Sequence, residues 1–397
     1  MRILLINSMC GLGSTGRIVA DLYKRLILDG NTVKVAYGLG EATIVPKQDT
    51  YRINNRVGYY MHNLLAKITD KTGLFSSCAT KRLIKWIDEF NPDIVHLHNL
   101  HGYYINYKIL FEYLSEKRIR VIWTLHDCWS FTGHCAHFDM VKCEKWKNGC
   151  KSCVHKKLYP KSYFCSRAQE NYKLKKRLFS NITDLTIVCP SHWLAELAKE
   201  SFLNIHPIRV IYNGIDRNSF FPRESRFREK YGLQDNFIIL GVANNWNRAK
   251  GFDDFLKLSK SIDKKYVVVL VGLTKVQKDQ IPHNILGIER TSNVDELAEI
   301  YSASDVFLNL TYEDTFPTVN MEALACGTPV ITYSTGGSGE IIDSDSGIQI
   351  EQGNLPGVID ALQSITHIKM NDAIKRSELF DKKFRYEEYV KLYYHLD

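Results

Sequence analysis

The sequence predicts an α/β protein of two doubly wound parallel-sheet units in series. Three observations predict it. Short continuous apolar runs recur along the chain, the kind buried on both faces of a parallel sheet. Each is followed by a polar or glycine-bearing turn and then an amphipathic helical stretch, which is the βαβ signature. The pattern lapses once, over Asn213–Arg228 (NGIDRNSFFPRESRFR), and then restarts. With 397 residues the chain has room for more than one domain, at ~100–200 residues each.

Taken in order, Arg2–Ile6 is the first strand. A glycine-containing loop, Cys10–Gly16, leads into a helix with Ile18, Leu22, Leu26 and Ile27 at helical spacing. Thr32–Ala36, Asp93–Leu97, Val121–Leu125 and Leu185–Cys189 are the next strands. After the lapse, strands are expected at Phe237–Val242, Tyr266–Val271, Ile285–Ile288, Val306–Leu310 and Pro329–Thr332. Helices are expected at Lys250–Lys260, Val294–Ser302, Val319–Ala325 and Leu355–Ile365. These assign residues 1–213 to a first Rossmann-like unit, with an insertion at about 128–165, and 214–375 to a second. The tail, 376–397, carries Phe380, Phe384, Tyr386, Tyr389, Tyr393 and Tyr394. A helix that aromatic must bury a face, and packing back across the junction would bury it.

Composition excludes several classes. Apolar residues make up 45% and aromatics 12%, too much for a disordered polymer. No apolar run nears the ~18 residues that span a bilayer, and the opening MRILLINSMCGLGS is too short in its apolar stretch for a signal peptide. A cytoplasmic chain is therefore expected, in which ten cysteines do not imply a disulfide framework. The net charge of +8 is unevenly placed: Lys142–Arg177 holds twelve Lys/Arg against two Glu, more than the whole-chain surplus. Trp146, Tyr159, Tyr163, Phe164 and Tyr172 interleave with these cations. Cations with aromatics suit an anionic membrane surface or a lipid diphosphate, and they also suit RNA.

The sharpest constellation is Thr311–Ile331, TYEDTFPTVNMEALACGTPVI. It follows a strand and opens a helix near Thr318, so backbone N–H groups at Phe316, Pro317, Thr318 and Val319 would face a phosphate. Glu322 in the first turns can accept both hydroxyls of a ribose, and Asp314 on the loop can hold sugar hydroxyls. Here a resemblance becomes specific. The segment is similar to the E-x7-E region of retaining family 4 glycosyltransferases, in the branch serving bacterial surface polysaccharides of the colanic-acid type. The resemblance runs over nearly the whole chain, through the first glycine loop, T-L-H-D (Thr124–Asp127), C-P-S-H-W-L (Cys189–Leu194), N-G-I-D (Asn213–Asp216) and R-A-K-G (Arg248–Gly251). Asp314 stands at the family's first glutamate, and Asn245 where an arginine is usual.

The resemblance implies the GT-B architecture of two facing Rossmann-like domains, a nucleotide-diphosphate sugar donor, retention of configuration and no catalytic metal. It implies Lys250 and Arg248 on the diphosphate, where preorganised cations stabilise a leaving group that gains charge. It places His126 against the donor sugar, making His126, Asp314 and Lys250 the catalytic candidates. The acceptor, a saccharide or lipid-linked oligosaccharide, would lie against Gly11, Gly13, Gly16, His98 and Asp127, with the inner membrane surface contacted through 142–177.

Other patterns are weighed beside it. Gly11, Gly13 and Gly16 form G-x-G-x-x-G, but a dehydrogenase needs an acid at the end of strand two, and Val35-Ala36-Tyr37-Gly38 has none before Glu41. His96, His98 and His101 could offer two metal ligands from one strand face, although cleft-lining polar groups fit them better. Cys135, Cys143, Cys150 and Cys153 read C-x7-C-x6-C-x2-C, whose last pair is a zinc knuckle; a structural zinc, two disulfides, which the compartment disfavours, and buried free thiols are the readings open there. Asp343-Ser344-Asp345 is a literal D-x-D in a turn context and is read as a turn. Two other functions share some features: a nucleotide-sugar epimerase of the same fold, and a nucleic-acid-binding protein using the basic insertion. Neither is the preferred reading, and no nucleic-acid partner is expected.

Overall fold

The computed structural model describes residues Met1–Leu396. The chain divides into two compact units: Met1–Tyr212 joined by the chain from Tyr386 onward, and Asn213–Arg385. The first contains β1 (Arg2–Met9), β2 (Thr32–Leu39), β3 (Thr50–Arg52), β4 (Ile94–Leu97), β5 (Arg120–Thr124), β6 (Leu185–Cys189) and β7 (Ile208–Val210). They form one sheet in the order β3-β2-β1-β4-β5-β6-β7, with every neighbouring pair parallel. The second contains β8 (Phe237–Val242), β9 (Tyr266–Val271), β10 (Ile285–Ile288), β11 (Val306–Asn309), β12 (Val330–Tyr333) and β13 (Gly347–Ile350). Their order is β10-β9-β8-β11-β12-β13, again parallel throughout.

Both sheets reverse their winding direction once, between β1 and β4 and between β8 and β11. Such a switch point opens a crevice beyond the carboxyl ends of the strands, where ligands of open α/β sheets bind. The loops that matter are thereby fixed: those after β1 and β4 in the first unit, and those after β8 and β11 in the second. The strands are buried as their sequences require. Ile3 to Ile6 and Val268 to Leu270 are wholly inaccessible, because helices cover both faces of each sheet.

The short edge strands β3, β7 and β13 were not expected, and β1 runs on through Asn7 and Ser8 to Met9. Edge strands of three or four residues carry no period to read, and the polar end of β1 is held by its partner β2, where Met9 pairs with Leu39. The helix expected over Lys250–Lys260 runs from Phe252 to Ser261 instead. Arg248–Lys250 form a separate 3-10 turn, ended by Gly251 at φ +73°.

The tail is not one segment. Helix Met370–Ser377 belongs to the second unit, and helix Lys382–Tyr394 begins there and ends in the first. Ile215 pairs with Asp381 between those helices, and the Asp381 carboxylate accepts the Lys383 N–H at 2.9 Å, which interrupts helical periodicity and restarts it. Tyr386, Tyr389, Val390 and Tyr393 are buried with Ile3, Ile94 and Ile122 in the first unit. Among the described residues no helix is long and apolar enough to cross a membrane.

Candidate functional site

In the second unit the loops leaving β8 and β11 are stitched together. Tyr312 N–H donates to the Ala249 carbonyl at 2.8 Å, and Thr311 Oγ1 donates to the same oxygen at 3.1 Å. The close approach requires Gly251: a Cβ there would stand 2.2 Å from the Leu310 carbonyl oxygen. The R-A-K-G motif thus pins a cationic turn onto the acidic loop. Lys250 Nζ lies 2.7 Å from Asp314 Oδ2 and 3.1 Å from the Glu313 carbonyl. The residue expected on the diphosphate and the one expected on the sugar are an ion pair, partly open to solvent.

A third loop braces the second. Gly336, at φ +53°, would carry a Cβ only 1.8 Å from the Asp314 carbonyl oxygen, and Gly337 N–H donates to the Thr315 carbonyl at 3.0 Å. Thr335 Oγ1 donates to the Thr311 carbonyl at 2.7 Å, and Gln352 Nε2 donates to Thr335 Oγ1 at 2.6 Å. The Asp314 loop is therefore held in place by groups that carry no recognisable motif.

Helix Thr318–Ala325 follows. Its first turn has no side-chain cap and no acidic residue, so the Thr318 and Val319 amides are left for another acceptor. Pro317 has no N–H and cannot contribute the donor expected of it. Phe316 and Pro317 are buried and serve as the wall beneath the helix start. One turn further, Glu322 is mostly buried and accepts the Tyr301 hydroxyl at 3.2 Å. Burial, with Glu322 close by, holds the Tyr301 phenol well above its usual pKa. A second acid was missed by sequence reasoning: buried Asp254 accepts the hydroxyls of Tyr312 at 2.6 Å and Tyr333 at 3.0 Å. Burial and then Asp254 push the Tyr312 phenol up to about 12, while the exposed Arg248 draws it down slightly.

In the first unit the loop after β1 is a tight turn. Gly11 and Gly13 have φ +77° and +66°, and Gly11 N–H donates to the Gly16 carbonyl at 2.9 Å. Asn7 ties this edge to the loop after β4, accepting the Asn99 N–H at 3.2 Å. The histidines stand at the same edge but turn to separate partners. His96 uses both ring nitrogens, on Tyr393 at 2.5 Å and Thr124 at 2.8 Å. His98 Nδ1 meets His126 Nε2 at 2.9 Å, and His101 pairs with Asp127 at 2.7 Å. Desolvation holds His126 down at about 4, hence neutral at pH 7. His98, expected to face an acceptor, is buried. Its ring stacks on His126 and presents almost no surface of its own, and its carbonyl accepts the Trp123 Nε1–H at 3.0 Å.

The basic insertion also differs from expectation in its aromatics. Trp146 and Tyr172 are core residues, whereas Tyr159, Tyr163 and Phe164 are exposed. Of the twelve cations, Lys175 is buried. Asp343 to Ser346 is a turn, closed by Ser346 Oγ on Asp343 Oδ1 at 2.6 Å. A cavity of ≈ 460 Å³ lies in the first unit among Lys71, Phe75, Asn106, Glu112 and Arg167, and none of the histidines lines it.

Paired doubly wound units, with a cation, acids and an uncapped helix start gathered at one switch point, define a glycosyltransferase of the GT-B type. The family profiles agree. Glycosyltransferase Family 4 matches residues 15–219, and Glycosyl transferases group 1 matches residues 223–379. The chain belongs to glycosyltransferase family 4. It is 23% identical to WcaC of Escherichia coli, named for colanic acid biosynthesis, with both chains covered in full. It is 29% identical to the N-acetyl-alpha-D-glucosaminyl L-malate synthase of Bacillus anthracis over 52% of this chain and 58% of that one. Among solved structures, Anabaena Alr3699/HepE in complex with UDP superposes with a TM-score of 0.69 at 13% identity, covering 99% of each chain. The sucrose-phosphate synthase of Thermosynechococcus elongatus gives 0.71 at 15% identity, covering 100% of this chain and 98% of that one.

Proposed function

We propose that this glycosyltransferase moves a sugar from a nucleotide-diphosphate donor to a saccharide acceptor, lipid-linked, in assembly of a bacterial surface polysaccharide, with retention of configuration. The observation that carries the reading is the Lys250–Asp314 pair beside the uncapped start of helix Thr318–Ala325. Lys250 and Arg248 take the diphosphate, together with the Thr318 and Val319 amides. Glu322, oriented by Tyr301, takes the ribose hydroxyls, and Asp314 takes the sugar. A donor phosphate then shares Lys250 with Asp314, so the cation is positioned before the leaving group gains charge. His126 is assigned to the transferred sugar by the family resemblance. As a neutral imidazole it can donate or accept a hydrogen bond without adding charge. The complexes of Alr3699/HepE with UDP and with UDP-glucose support a donor of this class.

The first unit takes the acceptor in this reading, with the glycine turn at Gly11–Gly16 and Asp127 as its polar contacts. A membrane-presented acceptor is supported by the surface of helix Arg56–Thr69. Val57, Tyr60, Met61, Leu64 and Ile68 are exposed along one helical face. The Tyr163 N–H donates to the Lys67 carbonyl at 2.9 Å, so exposed Tyr163 and Phe164 extend that face. Lys156 Nζ donates to the Phe164 carbonyl at 3.1 Å, and exposed Lys157 and Lys161 lie close by in sequence, cations that suit an anionic bilayer surface.

The test is transfer. Purified protein is incubated with radiolabelled UDP-, GDP- and ADP-sugars and a lipid extract from a polysaccharide-producing strain. One donor should deliver label to the organic phase, with the anomeric configuration kept. Conversion of a donor to its epimer without acceptor would instead identify an epimerase.

A further inference from the structure

Between Thr124 and Ala168 the first unit carries a long irregular segment whose regular pieces are two single turns of 3-10 helix, Asp139–Val141 and Lys145–Asn148. Long irregular stretches in a compact domain need their own means of being held. Part of the hold is apolar: Trp146 packs against Phe131 and stacks on Phe138, with ring centroids 5.2 and 5.4 Å apart. The rest centres on sulfur. Cys135, Cys143, Cys150 and Cys153, from three separate parts of the segment, line one cavity of ≈ 20 Å³, room for about one water-sized body. None of the four is in a disulfide.

A backbone donor reaches these sulfurs, while burial raises the Cys135, Cys150 and Cys153 thiols. The Gly133 N–H donates to Cys150 Sγ at 3.1 Å. Position 133 admits only glycine, because a Cβ would stand 2.0 Å from the Ala168 carbonyl oxygen. Lys175 is buried close to Cys150 and Cys135. Its ammonium donates to the Trp129 and Thr132 carbonyls at 2.6 and 3.0 Å and sits 3.5 Å from the centre of the Trp129 ring. Besides these sulfurs the Asp127 and Asp70 carboxylates act on the same ammonium, so its charge is met in part by carboxylates. Gly149, Cys150 and Ser152 all have positive φ, so the C-x2-C pair lies in a left-handed turn.

We propose that Cys135, Cys143, Cys150 and Cys153 bind one zinc ion as a tetrathiolate that has a structural role. Binding converts four thiols to thiolates and releases their protons to solvent. The ion stays divalent, and with four sulfurs it keeps no open position for a substrate. The resulting net −2 charge is met in part by the Gly133 N–H and by Lys175, which Asp127 and Asp70 share. As placed, no three His, Cys, Asp or Glu side chains among the described residues stand in coordinating geometry. Closure on the ion therefore requires the cysteine side chains to change from the positions they hold here.

The experiment is elemental analysis of the full chain, purified under reducing conditions, incubated with zinc sulfate and desalted. One zinc per chain is expected, retained by Cys78→Ser, an exposed cysteine elsewhere, and lost in the Cys150→Ser/Cys153→Ser double variant. Should that variant fail to fold, the wild type decides alone. A mercurial must release one zinc to a chelating dye after four thiols have reacted, and cobalt substitution must give the sulfur-to-metal charge-transfer bands of a tetrahedral tetrathiolate. Wild-type protein with less than a fifth of an equivalent of zinc, zinc unaffected by the double substitution in a folded variant, or a native mass showing disulfides among these four cysteines would each overturn the proposal.

Discussion

Lys250 makes its strongest contact with the carboxylate of Asp314, and this decides what its loss should do. Removing a positioned cation from a developing charge costs about 10²–10³ in kcat. Lys250→Ala should show that loss while the fold stays intact, since both partners are partly exposed. Glu322→Ala removes hydrogen bonds to a ligand, so the donor KM should rise about 10–100-fold. Steady-state kinetics with the donor varied separates the two patterns. A different residue sets a pH response. His62 accepts the Gly73 N–H on Nε2 at 3.1 Å, which places its own proton on Nδ1, toward Ser76 at 2.8 Å. Protonating Nε2 would set two N–H groups against each other, and desolvation already lowers this imidazole from 6.5 to about 3. The unfolded chain binds the proton first, so stability is full above about pH 6.5 and falls as pH drops toward 3. His96 and His126 add to the same slope. Denaturation midpoints measured down from pH 7 should decline, and less steeply in His62→Gln.

At the scale of elements, the glycine turns distinguish backbone strain from crowding. Gly232 and Gly336 both have positive φ, but a Cβ at Gly232 meets nothing within 4 Å, whereas one at Gly336 meets the Asp314 carbonyl oxygen. Gly232→Ala should cost only the left-handed penalty of about 1–2 kcal/mol. Gly336→Ala should cost more and also raise the donor KM, read from urea midpoints and kinetics together. Helix Arg56–Thr69 gives the second expectation. Leu64→Glu with Ile68→Glu places charge on an exposed face, so the fold should persist while sedimentation with anionic vesicles falls several-fold. Parallel-strand runs such as Phe237–Val242 were legible in the sequence because burial on both faces leaves an unbroken apolar string. The Asp254 group was not, because Asp254, Tyr312 and Tyr333 come from three distant elements joined only by folding. Lys250 was legible as a cation beside glycine, but its place in a 3-10 turn depends on the contact of Gly251 with Leu310. His98 looked like a surface group because a strand-end histidine gives no sign of the His96 and His126 rings packed against it.

For the whole molecule, the claim that matters is that the second unit is a receptor for a nucleoside diphosphate. A ligand that binds only the folded state raises its melting temperature, by about 2.7 kcal/mol of stabilisation at a concentration 100 times Kd. The direct test is a calorimetric titration of UDP, GDP and ADP into the full chain and into Lys250→Ala. One nucleotide should bind the wild type with one site per chain, and binding should weaken at least tenfold in the variant. No heat from any of the three, or an affinity that Lys250→Ala leaves unchanged, would contradict the account.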